Sequence, residues 1–141
     1  MRSRDKQDDH RAAVQAVLDR AGIDPTQGEL AAAPFLDGWE VVRDAFDYTI
    51  LYGRVTGHPT LKGPAIRTSP LLRLNLPAGW ARTYSRFYRL GAPLAHTGGE
   101  ARRALLAAAA AKGYHEMRPD EVTEGIRRNR DLILRFPGSF R

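Results

Sequence analysis

Between residues 8 and 22, apolar side chains recur at helical spacing. Ala13, Val14, Val17 and Leu18 form one stripe with charged residues around it. Asp8 or Asp9 is placed to cap this helix, and Gly22 is a fitting stop after Arg20. IDPTQGELAAAP then reads as a turn and a short second helix that Pro34 must end.

From Trp39 the period changes. WEVVR and YTILYGRV are rich in β-branched and aromatic residues, and AIRTS and LLRLNL read as further strands. Pro70 marks an edge or a bend, while GHPTLKGP and LPAG supply turns. Residues 39–91 are expected to form a small antiparallel sheet of three to five strands. Helical spacing returns in HTGGEARRALLAAAAAKGY, where Thr97 and Glu100 stand as a capping box and Gly113 as a stop. In RPDEVTEGIRRNRDLILRF, Pro119 or Asp120 opens a last helix, acids fill its first turn, arginines its last, and Pro137 closes it. The predicted fold is α+β in a single domain, residues 1–141. A helical N-terminal appendage (1–36) leads into a β core (37–92), and a helical pair (96–136) covers one sheet face.

A chain of 141 residues can bury a core without staples, and it has no cysteine. Disulfides and thiolate metal sites are thereby excluded, and a reducing cytoplasm is the expected location. The opening MRSRDKQDDH runs into no apolar segment of the kind a secretory signal needs. The longest apolar run, ALLAAAAA, is far shorter than the roughly 20 residues of a spanning helix, so no membrane partner is expected.

Charge sharpens the reading. The net charge is +6, and residues 46–97 hold seven basic side chains against the single acid Asp47. Such a segment attracts polyanions. Within it, WARTYSRFYRL (80–90) mixes three arginines with four rings and no acid. As one strand, it places Trp80, Arg82, Tyr84, Arg86 and Tyr88 on a common face. Rings and guanidiniums alternating there suit single-stranded nucleic acid, which stacks bases and presents phosphates. Arg54, Arg67 and Arg73 on neighbouring strands would extend the track. As a helix, the same stretch would instead bury Trp80, Tyr84, Phe87 and Tyr88 on one side. Gly79, Thr83 and Ser85 favour the strand.

Other chemistry is thinly represented. His58 in GHP and Ser69 in TSP have the residue types of a base and a nucleophile, but no G-x-S-x-G elbow surrounds Ser69 and Pro70 follows it directly. The four histidines are dispersed, so neither a metal nor another cofactor is expected. The amides of residues 97–99 offer the weak anion site of any helix start. Arg127, Arg128 and Arg130 share about half of the last helix, opposite Val122, Ile126 and Ile133, as a solvated face would.

The run from GRVTGHP through GPAIRTSPLLRLNLPAGWARTYSRFYRLG, residues 53–91, resembles the core of small bacterial proteins of unknown function. Their shared pattern is GHP, then TSPL, then T-x-S-R-x-Y-R-L-G. The resemblance implies a compact bacterial module of the kind carried on mobile elements, and it brings no activity, cofactor or catalytic residue. The expectation is therefore a non-enzymatic binding module whose basic sheet face contacts nucleic acid. The alternative is an interaction subunit (a regulator, inhibitor or assembly component) that docks on an acidic protein, since exposed Trp, Tyr and Arg dominate such surfaces.

Overall fold

The computed structural model describes residues 2–60, 65–96 and 99–137. Among these, four α-helices surround seven strands: α1 (Arg2–Ala21), α2 (Gln27–Ala32), α3 (Gly99–Ala111) and α4 (Pro119–Arg135). The strands are β1 (Phe35–Arg43), β2 (Thr49–Thr56), β3 (Ile66–Arg67), β4 (Leu71–Asn75), β5 (Trp80–Thr83), β6 (Phe87–Leu90) and β7 (His115–Glu116). The architecture is α+β. The first helix starts upstream of Asp8, since neither Gly nor Pro interrupts residues 2–8. Its buried stripe is Val14, Leu18 and Ala21, whereas Ala13 is exposed. Thr26 and Glu29 form a capping box on α2. Thr97, expected to cap α3, lies outside the described residues.

The sheet is larger than expected and not wholly antiparallel. Its order is β3-β2-β1-β6-β5-β4, with β7 pairing the far half of β1. β1 runs antiparallel to β2 but parallel to β6, with Phe35 opposite Arg89 and Leu36 opposite Leu90. The parallel pair arises because β6 hands its free edge to the start of β1. Gly91 N–H donates to Leu36 O (2.8 Å) and Gly38 N–H to Ala92 O (3.0 Å), which ties the two chains beyond the strand end. At Gly38–Trp39 the β1–β2 register shifts, and Gly38 takes φ +55° to make the bulge. Gly53 opposite has no room for a side chain, because a Cβ there would stand 3.0 Å from Trp39 Cα.

β3 and β4 occupy opposite ends of the strand order yet are joined by residues 68–70 alone, so the sheet must curl until its ends meet. Period-two alternation then sorts the core into two layers. Leu36, Val41, Leu51, Leu71, Ala81 and Tyr88 point inside the curl, joined by Met117. Val42, Ile50, Tyr52 and Leu72 point outward and pack on Val14 and Leu18 of α1, Ala109 of α3 and Ile133 of α4. Adjacent pairs such as Val41/Val42 and Leu71/Leu72 therefore serve different layers.

α4 closes the curl. Asn129, fully buried, donates through Nδ2 to Thr49 O and Leu71 O (both 2.8 Å) and accepts at Oδ1 from Thr49 N–H (2.9 Å). One amide thus satisfies backbone groups of both β2 and β4. One turn earlier, Gly125 lets α4 lie directly on β2, since a Cβ there would meet Thr49 Oγ1 at 2.3 Å. That hydroxyl is buried and has no partner among the described residues.

Two substitutions at this seam are expected to move stability in opposite directions. Asn129→Ala strands three buried backbone groups and should cost about 3 kcal/mol or more. Thr49→Val removes an unmatched hydroxyl at similar volume and should be neutral or stabilising by up to about 1 kcal/mol. Urea unfolding midpoints at constant m-value measure both.

Candidate functional site

The eleven residues 80–90 form a hairpin rather than one strand. β5 and β6 pair with Trp80 opposite Arg89, Ala81 opposite Tyr88 and Arg82 opposite Phe87. Thr83 makes the turn: its N–H donates to Arg86 O (2.9 Å) and its Oγ1 accepts from Arg86 N–H (3.3 Å). Contacts distant in sequence hold the turn in place, with Tyr84 N–H on Pro70 O (2.9 Å) and Ser85 N–H on Ser69 Oγ (3.0 Å). The reversal breaks the period-two phase, and the expected common face does not form. Trp80 and Phe87 go to the outer side, edge-to-face at 5.7 Å, in a small cluster with Ala33 and Leu30 at α2. Tyr88 goes to the inner core.

The rings are therefore not a platform. Trp80 is 4% exposed and Tyr88 2%, while Tyr84 is half-buried against the outer core layer. Burial follows from packing, because each ring fills space between the sheet and a neighbouring element. The arginines lie over the rings as lids. Arg73 stands 4.7 Å above Trp80 and Arg82 4.9 Å above Phe87. Arg73 also pairs with Asp24 (2.7 Å). Arg67 pairs with Asp44 (2.9 Å), a buried carboxylate that also accepts from the N–H groups of Phe46 and Tyr48. Among the described residues, no ion pair holds Arg54, Arg82 or Arg86. Arg54 is exposed on β2.

The segments GHP, TSP and T-x-S-R-x-Y-R-L-G, separate in sequence, converge at this turn. The His58 ring tilts against Tyr88 at 6.2 Å, and its Nδ1 accepts from Thr60 N–H (3.1 Å). Ser69 Oγ accepts from Ser85 N–H. Both side chains thus brace turns in the described hydrogen bonds. Burial, helped by the neighbouring Arg86 charge, holds the His58 imidazolium below its ordinary range. Burial raises the Tyr88 phenol, and Arg86 partly opposes that shift.

No group of three or more His, Asp or Glu among the described residues is arranged to hold a metal ion. The arginines of α4 are engaged at its surface. Arg128 meets Asp47 (2.7 Å), Arg127 meets Glu124 (2.9 Å), and Arg130 reaches Leu72 O (3.3 Å). Of the anion site expected at residues 97–99, Thr97 and Gly98 lie outside the described residues.

A different feature is an apolar opening at one end of the sheet. Where β4 diverges from α4, the inner core meets solvent in a groove of about 540 Å³. Trp39, Leu74, Leu76, Met117, Val122 and Ile126 line it, and Leu76 is 56% exposed. The apolar stripe of α4 and the run LLRLNL were visible in the sequence. That they part at one end, instead of sealing, depends on the curl of the sheet.

Residues 7–124 match a family of unknown function, DUF6634, and the chain belongs to that family. No curated protein and no solved structure matches it. No helix among the described residues is long and apolar enough to cross a membrane.

Two measurements follow from this geometry. Trp39 and Trp80 are 6% and 4% exposed, so their fluorescence should resist iodide quenching and stay unquenched when single-stranded oligonucleotide is added. By NMR titration, His58 should ionise below its ordinary 6.5. Because the folded chain favours the neutral ring, the contribution is complete above pH 6.5 and is lost as pH falls through the lowered folded value. His58→Asn should remove that part of the acid sensitivity.

Proposed function

We propose that this protein is a non-enzymatic interaction module that seats an apolar segment of an acidic partner protein in the groove between β4 and α4. The groove itself carries the reading. It opens onto half-buried Leu74, Val122 and Ile126, with Leu76 exposed at its edge, and such pockets supply the buried anchors of protein interfaces. The partner's charge is argued from the chain's overall +6, since Arg118 beside the groove-lining Pro119 is already paired with Asp120 (3.5 Å) and Glu121 (3.3 Å). Apolar anchors would enter between Leu76 and Ile126.

Nucleic-acid contact is the competing outcome. It retains the positive charge of residues 46–97, with Arg54 and Arg86 held by no ion pair among the described residues, and it lacks the exposed rings expected at Trp80 and Tyr88.

A photo-crosslinker placed at Thr123, on the groove wall, separates the two in cells that express the protein. The expected result is a discrete adduct with an acidic protein that survives nuclease. Salt should weaken it, and Leu76→Arg should reduce it at least about tenfold, the loss of roughly 1.4 kcal/mol or more at a hot spot. Adducts that nuclease destroys would assign nucleic acid. Adducts indifferent to Leu76→Arg, or none at all, would refute docking in the groove.

A further inference from the structure

Three arginines from separate elements meet where the end of α1 approaches the β4–β5 ladder. Arg73 and Arg82 are direct cross-strand partners, so two guanidiniums leave the same sheet face side by side. Like charges in that relation repel. Arg20, in the last turn of α1, adds a third positive charge that acts on Arg82. Arg20, Arg82, Ile23 and Phe87, with Asp24 and Glu29, line a cleft of about 120 Å³.

Both carboxylates of the cleft already have work. Asp24 Oδ1 accepts from Arg73 (2.7 Å), and Glu29 Oε1 accepts from Thr26 N–H (3.0 Å) in the cap of α2. Three cations therefore face two committed anions. Arg82 is also fixed in place with hydrogen-bonding capacity to spare. Its guanidinium rests on the Phe87 ring, its Nη2 reaches Tyr84 O only at 3.4 Å, and its Nε is buried with no partner among the described residues. Burial and, after it, Arg20 push its ionisation below the usual guanidinium range, and Glu29 partly opposes that shift.

We propose that this cleft binds a phosphate-sized oxyanion between Arg20 and Arg82. A tetrahedral oxyanion accepts from two guanidinium forks at once and offsets the one positive charge by which Arg20, Arg73 and Arg82 exceed Asp24 and Glu29. Ile23 and Phe87 shield one side from water, which strengthens those contacts. The site lies at the α1 end of the sheet and does not depend on the groove. Inorganic phosphate and a terminal phosphate monoester present the same chemistry to it.

The test is calorimetric titration of the full chain with inorganic phosphate, with ionic strength held constant by sodium chloride. One-site binding is expected, weakened about tenfold or more in Arg20→Ala and unchanged in Arg127→Ala on α4. Arg20 is exposed at a helix end, so its replacement leaves the core intact, and circular dichroism checks this. Arg82→Lys keeps the charge, loses the fork, and should bind more weakly than the native chain. Parallel titrations with phosphoserine and a 5′-phosphorylated dinucleotide identify the source. Tighter binding of either monoester assigns a phosphate carried on that class of molecule, and equal or weaker binding assigns the free ion. Absence of saturable binding by all three, or binding that survives Arg20→Ala, overturns the proposal.

Discussion

The fold rests on how a curled sheet is closed without a continuous hydrogen-bond ladder. β2 and β4 approach each other across the seam, but Thr49 and Leu71 have carbonyls that no strand neighbour receives. Asn129 supplies what is missing, because a primary amide offers two donors and an acceptor and can imitate a strand's backbone. In the dry interior each such bond protects against a large desolvation penalty. Closure therefore depends on α4 being held at one height and one rotation. Gly125 sets the height by allowing helix and strand to touch. Ion pairs set the rotation at the near end, where Arg128 and Arg43 share Asp47 and Arg43 also reaches Glu121.

The same helix serves both layers of the core. Ile133 packs outside the curl with α1, whereas Val122 and Ile126 face the inner layer. A straight helix spanning a curved sheet cannot stay in contact along its whole length. It touches β2 and β4 near Asn129, and toward its N-terminus it leaves a gap over Trp39 and Leu74. The groove is thus a geometric consequence of the closure. It sits on rigid elements, which lowers the ordering entropy a partner must overcome.

Much of the architecture was legible in the sequence. The α+β class follows from the switch between periods of 3.6 and two, and the helix ends at Gly22, Pro34 and Gly113 follow from local backbone rules. The misreading at 80–90 has a definite cause. WART and FYRL each alternate correctly, but nothing local marks the reversal between them; Thr83 and Ser85 turn the chain with help from Pro70 and Ser69, fourteen or more residues away. The ring-and-arginine pattern was equally ambiguous, since an arginine over a buried tryptophan and an arginine beside an exposed one look identical in one dimension. Asn129 and Gly125 were invisible for a related reason. Asn is an indifferent helix former and Gly a poor one, and the value of both lies in the strand they meet.

Charge segregation along a chain is a poor guide to charge on a surface, and this protein shows why. The basic middle segment reads in the sequence as one positive field, yet folding interleaves it with acids from the first 45 residues. Asp24 neutralises Arg73 and Asp44 neutralises Arg67, with Glu29 close enough to act on Arg82. At contact distance such pairs cancel most of the field that a sequence-averaged count assigns to the middle segment. What remains among the described residues is local, in Arg54, Arg86, Arg89 and the incompletely balanced Arg20–Arg82 cleft. Recognition of an anion by this fold would therefore be a matter of a few fixed guanidiniums, not of a broad positive face. Broad fields steer encounters and fade with salt, whereas guanidiniums braced on rings and partly shielded from water discriminate by geometry.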